Sequence, residues 1–254
     1  MKKLLLLCLA LTMTSMSAGS LAWDPTRVAL HLVGDSTMSN KPNLAYPERG
    51  WGQLLPEYFS NELEIVNHAA NGRSTRRFID EGRWALVLSE LKAGDYVLIQ
   101  FGHNDQKVED PTRYASAEKD YPAFLRRYIA EVRAKDATPM IASSICRRHF
   151  DEQGNLQRKL LDYAAAAREV ARDEEVEFFD LNEQTCGFLK DIGEPASRQY
   201  FIQVPPDLYT RYPEGKTDNT HLNVVGASKV AQFFIRDLRK RNHPLANYVY
   251  RDSL

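Results

Sequence analysis

The stretch Val28-Ala29-Leu30-His31-Leu32-Val33-Gly34-Asp35-Ser36-Thr37 decides how the rest of the chain is read. Its first six residues are almost all apolar, as expected of a strand buried on both faces of a parallel sheet. Gly-Asp-Ser-Thr then ends the run at once with residues that favour turns and helix caps. A strand ending this way brings the hydroxyl of Ser36 to the carboxyl edge of the sheet, where open α/β folds hold their ligands.

Outward from this stretch the same rhythm repeats. Glu64 to Asn67, Tyr96 to Phe101, Met140 to Ile145 and Val176 to Leu181 are further short apolar runs. Between them Trp51 to Phe59, Trp84 to Leu91, Tyr121 to Lys135 and Leu156 to Arg172 place apolar residues at helical spacing, and Val224 to Arg241 supplies a closing helix. This alternation predicts a three-layer α/β/α sandwich around a parallel, flavodoxin-like sheet of about five strands. His103 to Asp120 and Cys186 to Asp218 break the rhythm and are expected to be surface loops; the second carries Pro195, Pro205, Pro206 and Pro213.

The 254 residues are 43% hydrophobic and 26% charged, which excludes a disordered or collagen-like chain. A formal charge of -1 from 33 basic and 34 acidic side chains argues against a life on nucleic acid or an anionic membrane. Lys2 and Lys3, the apolar run Leu4 to Leu11, and Ser20 and Ala22 at the cleavage positions make residues 1 to 22 a signal peptide, leaving residues 23 to 254 as one domain. The apolar run is too short for a membrane span, so the mature protein is expected to be secreted or periplasmic with no membrane attachment. Its formal charge becomes -3, with 31 basic and 34 acidic residues. Cys146 and Cys186 then remain in an oxidising compartment, either as one bridge or as two inert thiols. No CxxC or HxxxH spacing of a zinc site is present.

Ser36 is a candidate nucleophile, although Asp, Ser and Thr after a strand also serve as plain turn or cap residues. The second strand runs into Asn67-His68-Ala69-Ala70-Asn71-Gly72, where Gly72 lets a backbone N–H approach a substrate. The third ends in Phe101-Gly102-His103-Asn104-Asp105, and the Asn104 amide can donate to an oxyanion. In Asp218-Asn219-Thr220-His221 a carboxylate three positions before an imidazole can hold its Nδ1–H and leave Nε2 for a hydroxyl. Among the other histidines, His31 lies inside a strand and reads as a core residue, whereas His103 can line a cleft. Arg73, Arg76 and Arg77, with Arg147 and Arg148, are expected to form a basic rim at the catalytic edge. Salt-bridged arginines such as Arg77 with Asp80 or Glu81 are the alternative.

Taken in series, Gly34-Asp35-Ser36, Gly72, Gly102-His103-Asn104-Asp105 and Asp218-Asn219-Thr220-His221 resemble the four blocks of the SGNH (GDSL-type) hydrolase superfamily. The resemblance implies Ser36 as nucleophile, His221 as base and Asp218 as its orienter. It also implies an oxyanion hole made by Ser36, Gly72 and Asn104. Thr37 departs from the Leu of the name-giving motif. Gly50-Trp51-Gly52, Asn71-Gly72-Arg73-Ser74, Glu81-Gly82-Arg83-Trp84 and Thr220-His221-Leu222-Asn223 look further like the rhamnogalacturonan acetylesterase group. That likeness implies a secreted enzyme removing acetyl from pectin by a Ser-His-Asp acyl-enzyme route, without metal or organic cofactor. The implied partner is an acetylated acidic polysaccharide or oligosaccharide, bound in part by Arg73, Arg76, His103 and Arg147. Xylan or small acetylated compounds are the alternative substrates, and a carbohydrate-binding protein that has lost catalysis is the alternative class. A lipase or thioesterase would need a long apolar groove.

Overall fold

The computed structural model describes residues 27–252, so the signal-peptide reading of residues 1 to 22 lies outside the described residues. Five strands, β1 (Ala29–Gly34), β2 (Glu64–Asn67), β3 (Tyr96–Gln100), β4 (Thr138–Ala142) and β5 (Glu177–Phe179), form one sheet in the order β2-β1-β3-β4-β5. Every pair in it is parallel. The parallel three-layer expectation is met.

Side-chain alternation sorts β1 between two cores. Leu30 and Leu32 face Leu98, Met140, Ala142 and Phe179 on one side, where the short helix α1 (Trp51–Leu54), α6 (Leu181–Ser197) and α7 (Val224–Lys240) pack. Val33 faces Val97, Ile99 and Ile141 on the other, beneath α2 (Thr75–Asp80), α3 (Arg83–Glu90), α4 (Asp120–Arg133) and α5 (Leu161–Asp173). On α7 the buried residues Ala227, Val230, Ala231, Phe234, Ile235 and Leu238 follow the 3-and-4 spacing of a helical stripe. Phe234 is fully buried against Trp51 and Phe179. Truncating such a side chain costs about 3–5 kcal/mol. Asn223 caps this helix by accepting from the Gly226 N–H at 3.0 Å.

Several elements differ from the sequence expectation: the fourth strand ends at Ala142, and the first helix is α-helical only over Trp51–Leu54. The helix expected from Leu156 begins at Leu161, because Leu156 instead makes an isolated antiparallel bridge with Phe150. The fifth strand is only three residues long, and Leu181 opens α6, capped by Asp180. The supposed loop from Cys186 to Asp218 is largely ordered. It holds most of α6, kinked at Gly193 (φ 75°), and then the antiparallel pair β6 (Phe201–Val204) and β7 (Lys216–Leu222). Cys186, on α6, is disulfide-bonded to Cys146 after β4, with Cα atoms 5.1 Å apart. The bridge is thus the form present. Among the described residues no helix is long and apolar enough to cross a membrane.

Candidate active site

Ser36 stands in the turn directly after β1, 8% exposed. The turn is held by Asp35, which is fully buried. Its Oδ1 accepts from the Thr37 N–H and from the Thr37 hydroxyl, both at 2.8 Å, and its Oδ2 lies 3.2 Å from His103 Nδ1. Burial pushes the Asp35 carboxyl up, but the His103 ring and the Thr37 donors outweigh it and leave it below the ordinary carboxylate range. Met38 and Ser39 close the turn with N–H groups on the Asp35 carbonyl.

The imidazole that meets Ser36 arrives from 185 residues away. His221 Nε2 is 2.9 Å from Ser36 Oγ, and His221 Nδ1 is 2.8 Å from Asp218 Oδ2. In a regular strand, residues three apart point to opposite faces. Here β7 escapes that rule because its pairing jumps from Asp218 opposite Ile202 to Leu222 opposite Phe201, so residues 219–221 bulge out. Asp218 Oδ1 fastens the bulge by accepting from the Thr220 N–H at 2.8 Å and the His221 N–H at 3.0 Å. The pair therefore sits in a strand irregularity and not in the loop that the sequence suggested. Burial pushes the Asp218 carboxyl up, but the His221 ring and these backbone donors win and hold it well below the carboxylate range.

The donor side of the site is built by three neighbouring loops. Gly72 adopts φ +74°, a left-handed conformation costly for other residues, and open space lies where a Cβ would be. Neither the Ser36 nor the Gly72 backbone N–H is taken by another group among the described residues. The Asn104 amide donates one proton to the Arg73 carbonyl at 3.0 Å and retains a second. The loops are tied together by Ala70 N–H on the Gly34 carbonyl, and by Asp105, whose carboxylate accepts from Thr75 N–H, Thr75 Oγ and the Gly102 N–H. Gly102 is obligatory in this arrangement, since with φ +135° a Cβ would stand 2.9 Å from Ser144 Oγ. Burial pushes Asp105 up to about 7 against those three donors.

The predicted substrate residues are placed less uniformly. His103 is not on an open wall: it is 2% exposed behind the nucleophile turn, and its Nε2 has no protein partner. Arg73, Arg77 and Arg83 all converge on Glu81, each through Nε at 2.8 Å. The Arg83, Arg73 and Arg77 hydrogen bonds hold that carboxyl down near about 2. Arg76 donates to the Tyr114 carbonyl and lies over the Phe124 ring. Arg148 is buried and bonded to Ser197, Asn219 and Glu194. Arg147 has no carboxylate partner at salt-bridge distance among the described residues: burial lowers its pKa while the Asp35 and Asp218 carboxylates act to raise it, and it donates to the His103 carbonyl. The expected basic rim is thus mostly neutralised by salt bridges.

Sequence reasoning assigned no role to Lys41 or Asn71. Asn71 Oδ1 accepts from Ser39 Oγ at 2.8 Å and from Lys41 Nζ at 2.5 Å, while Lys41 Nζ also meets Glu48 at 2.8 Å. This chain, buried at Ser39 and Lys41, couples the Ser36 turn to the Glu48 segment, which bridges to Asn223, two residues after His221. The one available signal was the polar run Ser39-Asn40-Lys41 directly after the nucleophile.

Residues 32–228 match the model of the GDSL-like Lipase/Acylhydrolase family. The chain belongs to that family. It is a carboxylic-ester hydrolase, and the SGNH resemblance of its motifs is borne out. The chain is 34% identical over 222 residues to the rhamnogalacturonan acetylesterase RhgT of Bacillus subtilis, covering 87% of this chain and 94% of that one. It is 28% identical to a rhamnogalacturonan acetylesterase of Emericella nidulans, covering 88% and 91%. Among solved structures, the Bacillus subtilis protein YxiM superposes with a TM-score of 0.74 at 24% identity over 86% of this chain, which spans 58% of that longer one. The acetylxylan esterase Axe2 of Geobacillus stearothermophilus superposes with a TM-score of 0.59 at 19% identity, over 83% of this chain and 94% of that one.

Proposed function

We propose that this protein is a secreted carbohydrate acetylesterase that removes acetyl groups from rhamnogalacturonan-type pectin through Ser36, His221 and Asp218. The observation that carries the reading is the continuous hydrogen-bonded relay from Asp218 Oδ2 through His221 to Ser36 Oγ, in a chain 34% identical to a rhamnogalacturonan acetylesterase. His221 takes the hydroxyl proton as Ser36 Oγ attacks the acetyl carbonyl, and the developing oxyanion is received by the N–H groups of Ser36 and Gly72 and the amide of Asn104. His221 then returns the proton to the departing sugar hydroxyl. Water, activated by the same imidazole, attacks the acetyl-enzyme and releases acetate. Asp218 holds the ring so that Nε2 faces Ser36, and its charge favours the imidazolium formed in each half.

The substrate reading draws on the surroundings of the relay. An open cleft of about 510 Å³ lies against β7, lined by Thr217 and Asn219, which flank Asp218 in sequence, with Arg148, Arg198, Phe150, Asp151 and Glu194, but without Ser36, Asp218 or His221 on its wall. Its two arginines are already paired with Glu194, so what this cleft offers a sugar is the ring of Phe150, an apolar face on which a sugar can pack. Arg147, whose charge is influenced by the Asp35 and Asp218 carboxylates, supports the reading of an acidic residue flanking the acetylated sugar.

The test is release of acetate from acetylated rhamnogalacturonan, xylan and chitin fragments by the wild type and Ser36→Ala. Acetate released fastest from rhamnogalacturonan and abolished in Ser36→Ala supports the reading. Equal activity on neutral xylan removes the pectin assignment, and undiminished activity in Ser36→Ala removes the relay.

A further inference from the structure

A second cluster of imidazole and carboxylate groups lies apart from the catalytic edge, on the face of the sheet that carries α3. His31, in the middle of β1, is 3% exposed and faces His68, the residue just after β2, with parallel rings and Nδ1 2.9 Å from His68 Nε2. Glu90, the last residue of α3, places Oε2 3.7 Å from the same His68 nitrogen. The three potential ligand atoms lie within 4.8 Å of one another. The acyl-transfer chemistry uses none of them.

We infer that His31 Nδ1, His68 Nε2 and Glu90 Oε2 form a binding site for a divalent transition cation, zinc by preference, that fastens α3 to the edge of the sheet. Two neutral imidazoles and one carboxylate are a zinc ligand set that leaves a fourth position for water. The outer contact typical of such sites is already present: His31 Nε2 lies 3.4 Å from Asp95 Oδ2. That carboxylate is itself fixed by the Ala29 and Lys92 N–H groups. Donation from His31 Nε2–H to Asp95 makes Nδ1 the lone-pair nitrogen, oriented toward the ion. Burial outweighs the nearby carboxylates of Asp95, Glu90 and Glu64 and lowers the His31 pKa, which keeps the ring neutral, the form a metal ligand needs.

A tetrahedral ion with bonds of about 2.0–2.1 Å to nitrogen holds two imidazole nitrogens about 3.3 Å apart, so the rings separate by about 0.4 Å and each turns by about 35° from the line along which the nitrogens now face each other. The proton that His68 Nε2 now shares with His31 moves to His68 Nδ1, both rings stay neutral, and no proton is released. Glu90 has a side chain 54% exposed and is free to close the remaining distance. Access is from the solvent side, past His68 and Glu90.

The test is calorimetric titration of zinc chloride into the full chain bearing His221→Ala, which removes the imidazole–carboxylate pair of the candidate active site and leaves, among the described residues, only the buried His103–Asp35 pair besides the proposed site. One ion per chain is expected, with low-micromolar affinity. Adding His68→Gln or Glu90→Gln should weaken it by at least the roughly 10–100-fold that disturbing even an outer contact costs. Glu90→Gln alters an exposed position and keeps the fold, which circular dichroism checks. Loading with Cu²⁺ should give a paramagnetic resonance spectrum with two nitrogen ligands, reduced to one in His68→Gln. Absence of saturable binding, or equal affinity in both variants and their parent, overturns the site.

Discussion

Replacing Asp218 by Asn isolates the part of the site that the bulge in β7 creates. The one side-chain oxygen of Asn has two uses available: the pair of backbone N–H groups of Thr220 and His221 at 2.8 and 3.0 Å, or the ring Nδ1–H at 2.8 Å. Facing its amide nitrogen toward two backbone donors would leave both unpaired, at about 1–3 kcal/mol each, so the oxygen stays on the backbone and the NH₂ faces Nδ1. The ring must then accept at Nδ1 and carry its proton on Nε2, where it points at Ser36 Oγ and cannot take the hydroxyl proton. Tautomer inversion of this kind costs on the order of 10³–10⁴ in kcat, or about 4–5.5 kcal/mol of transition-state stabilisation.

The assay is initial-rate release of p-nitrophenol from its acetate ester, with kcat and KM resolved and thermal melting recorded alongside. The expectation is a loss in kcat with KM changed little and a melting temperature close to wild type, because the backbone bonds survive. Asp218 itself stays ionised through the assay range, held far down by His221 and the two backbone donors. A kcat within tenfold of wild type would refute the assignment of Asp218 as the group that orients His221.

Asn104→Ala removes the free amide proton of the proposed oxyanion hole and should lower kcat by about 10²–10³ with KM little changed; full retention of kcat in steady-state assays would take Asn104 out of the hole. Asp105 holds its proton up to about 7 in the folded chain, against about 3.9 when unfolded, so it binds more protons folded and its contribution to stability falls as pH rises between those values. The wild type should therefore lose stability relative to Asp105→Asn by up to about 4 kcal/mol from pH 4 to pH 7, and parallel urea-unfolding curves at the two pH values would contradict it. The disulfide closes a loop of 40 residues, so Cys146→Ser with Cys186→Ser should cost about 4 kcal/mol on chain-entropy grounds; an unchanged urea midpoint would show that the unfolded chain gains no freedom from its loss.

What could be read from the sequence was whatever is local to a strand end. The β2 boundaries at Glu64 and Asn67 coincide with the structure, because a short apolar strand between polar turns announces both its limits. Ser36, Gly72 and Asn104 each follow a parallel strand, so a sheet argument alone carries them to one edge. The segment 186–218 was misjudged for a physical reason: Gly193 and Pro195 interrupt the helical pattern of α6, and β7 is polar, with Lys216, Thr217, Asp218, Asn219, Thr220 and His221 in sequence. A strand of that composition is held by pairing with β6 and by Asp218 turning back onto its own backbone, neither of which leaves an apolar alternation to detect. His103 failed differently. As a residue next to Asn104 it looked like a cleft wall, but its partner is Asp35, 68 positions earlier, and that pairing turns the ring inward beneath the nucleophile. The same distance in sequence hid His31, His68, Glu90 and Asp95 from any motif, since a set drawn from one strand, the residue after a second, a helix end and a turn has spacing set by the fold and not by any local pattern. Positions that act through their own backbone neighbours were therefore readable, and positions that act through a partner on another element became visible only when the parallel register placed β1 between β2 and β3.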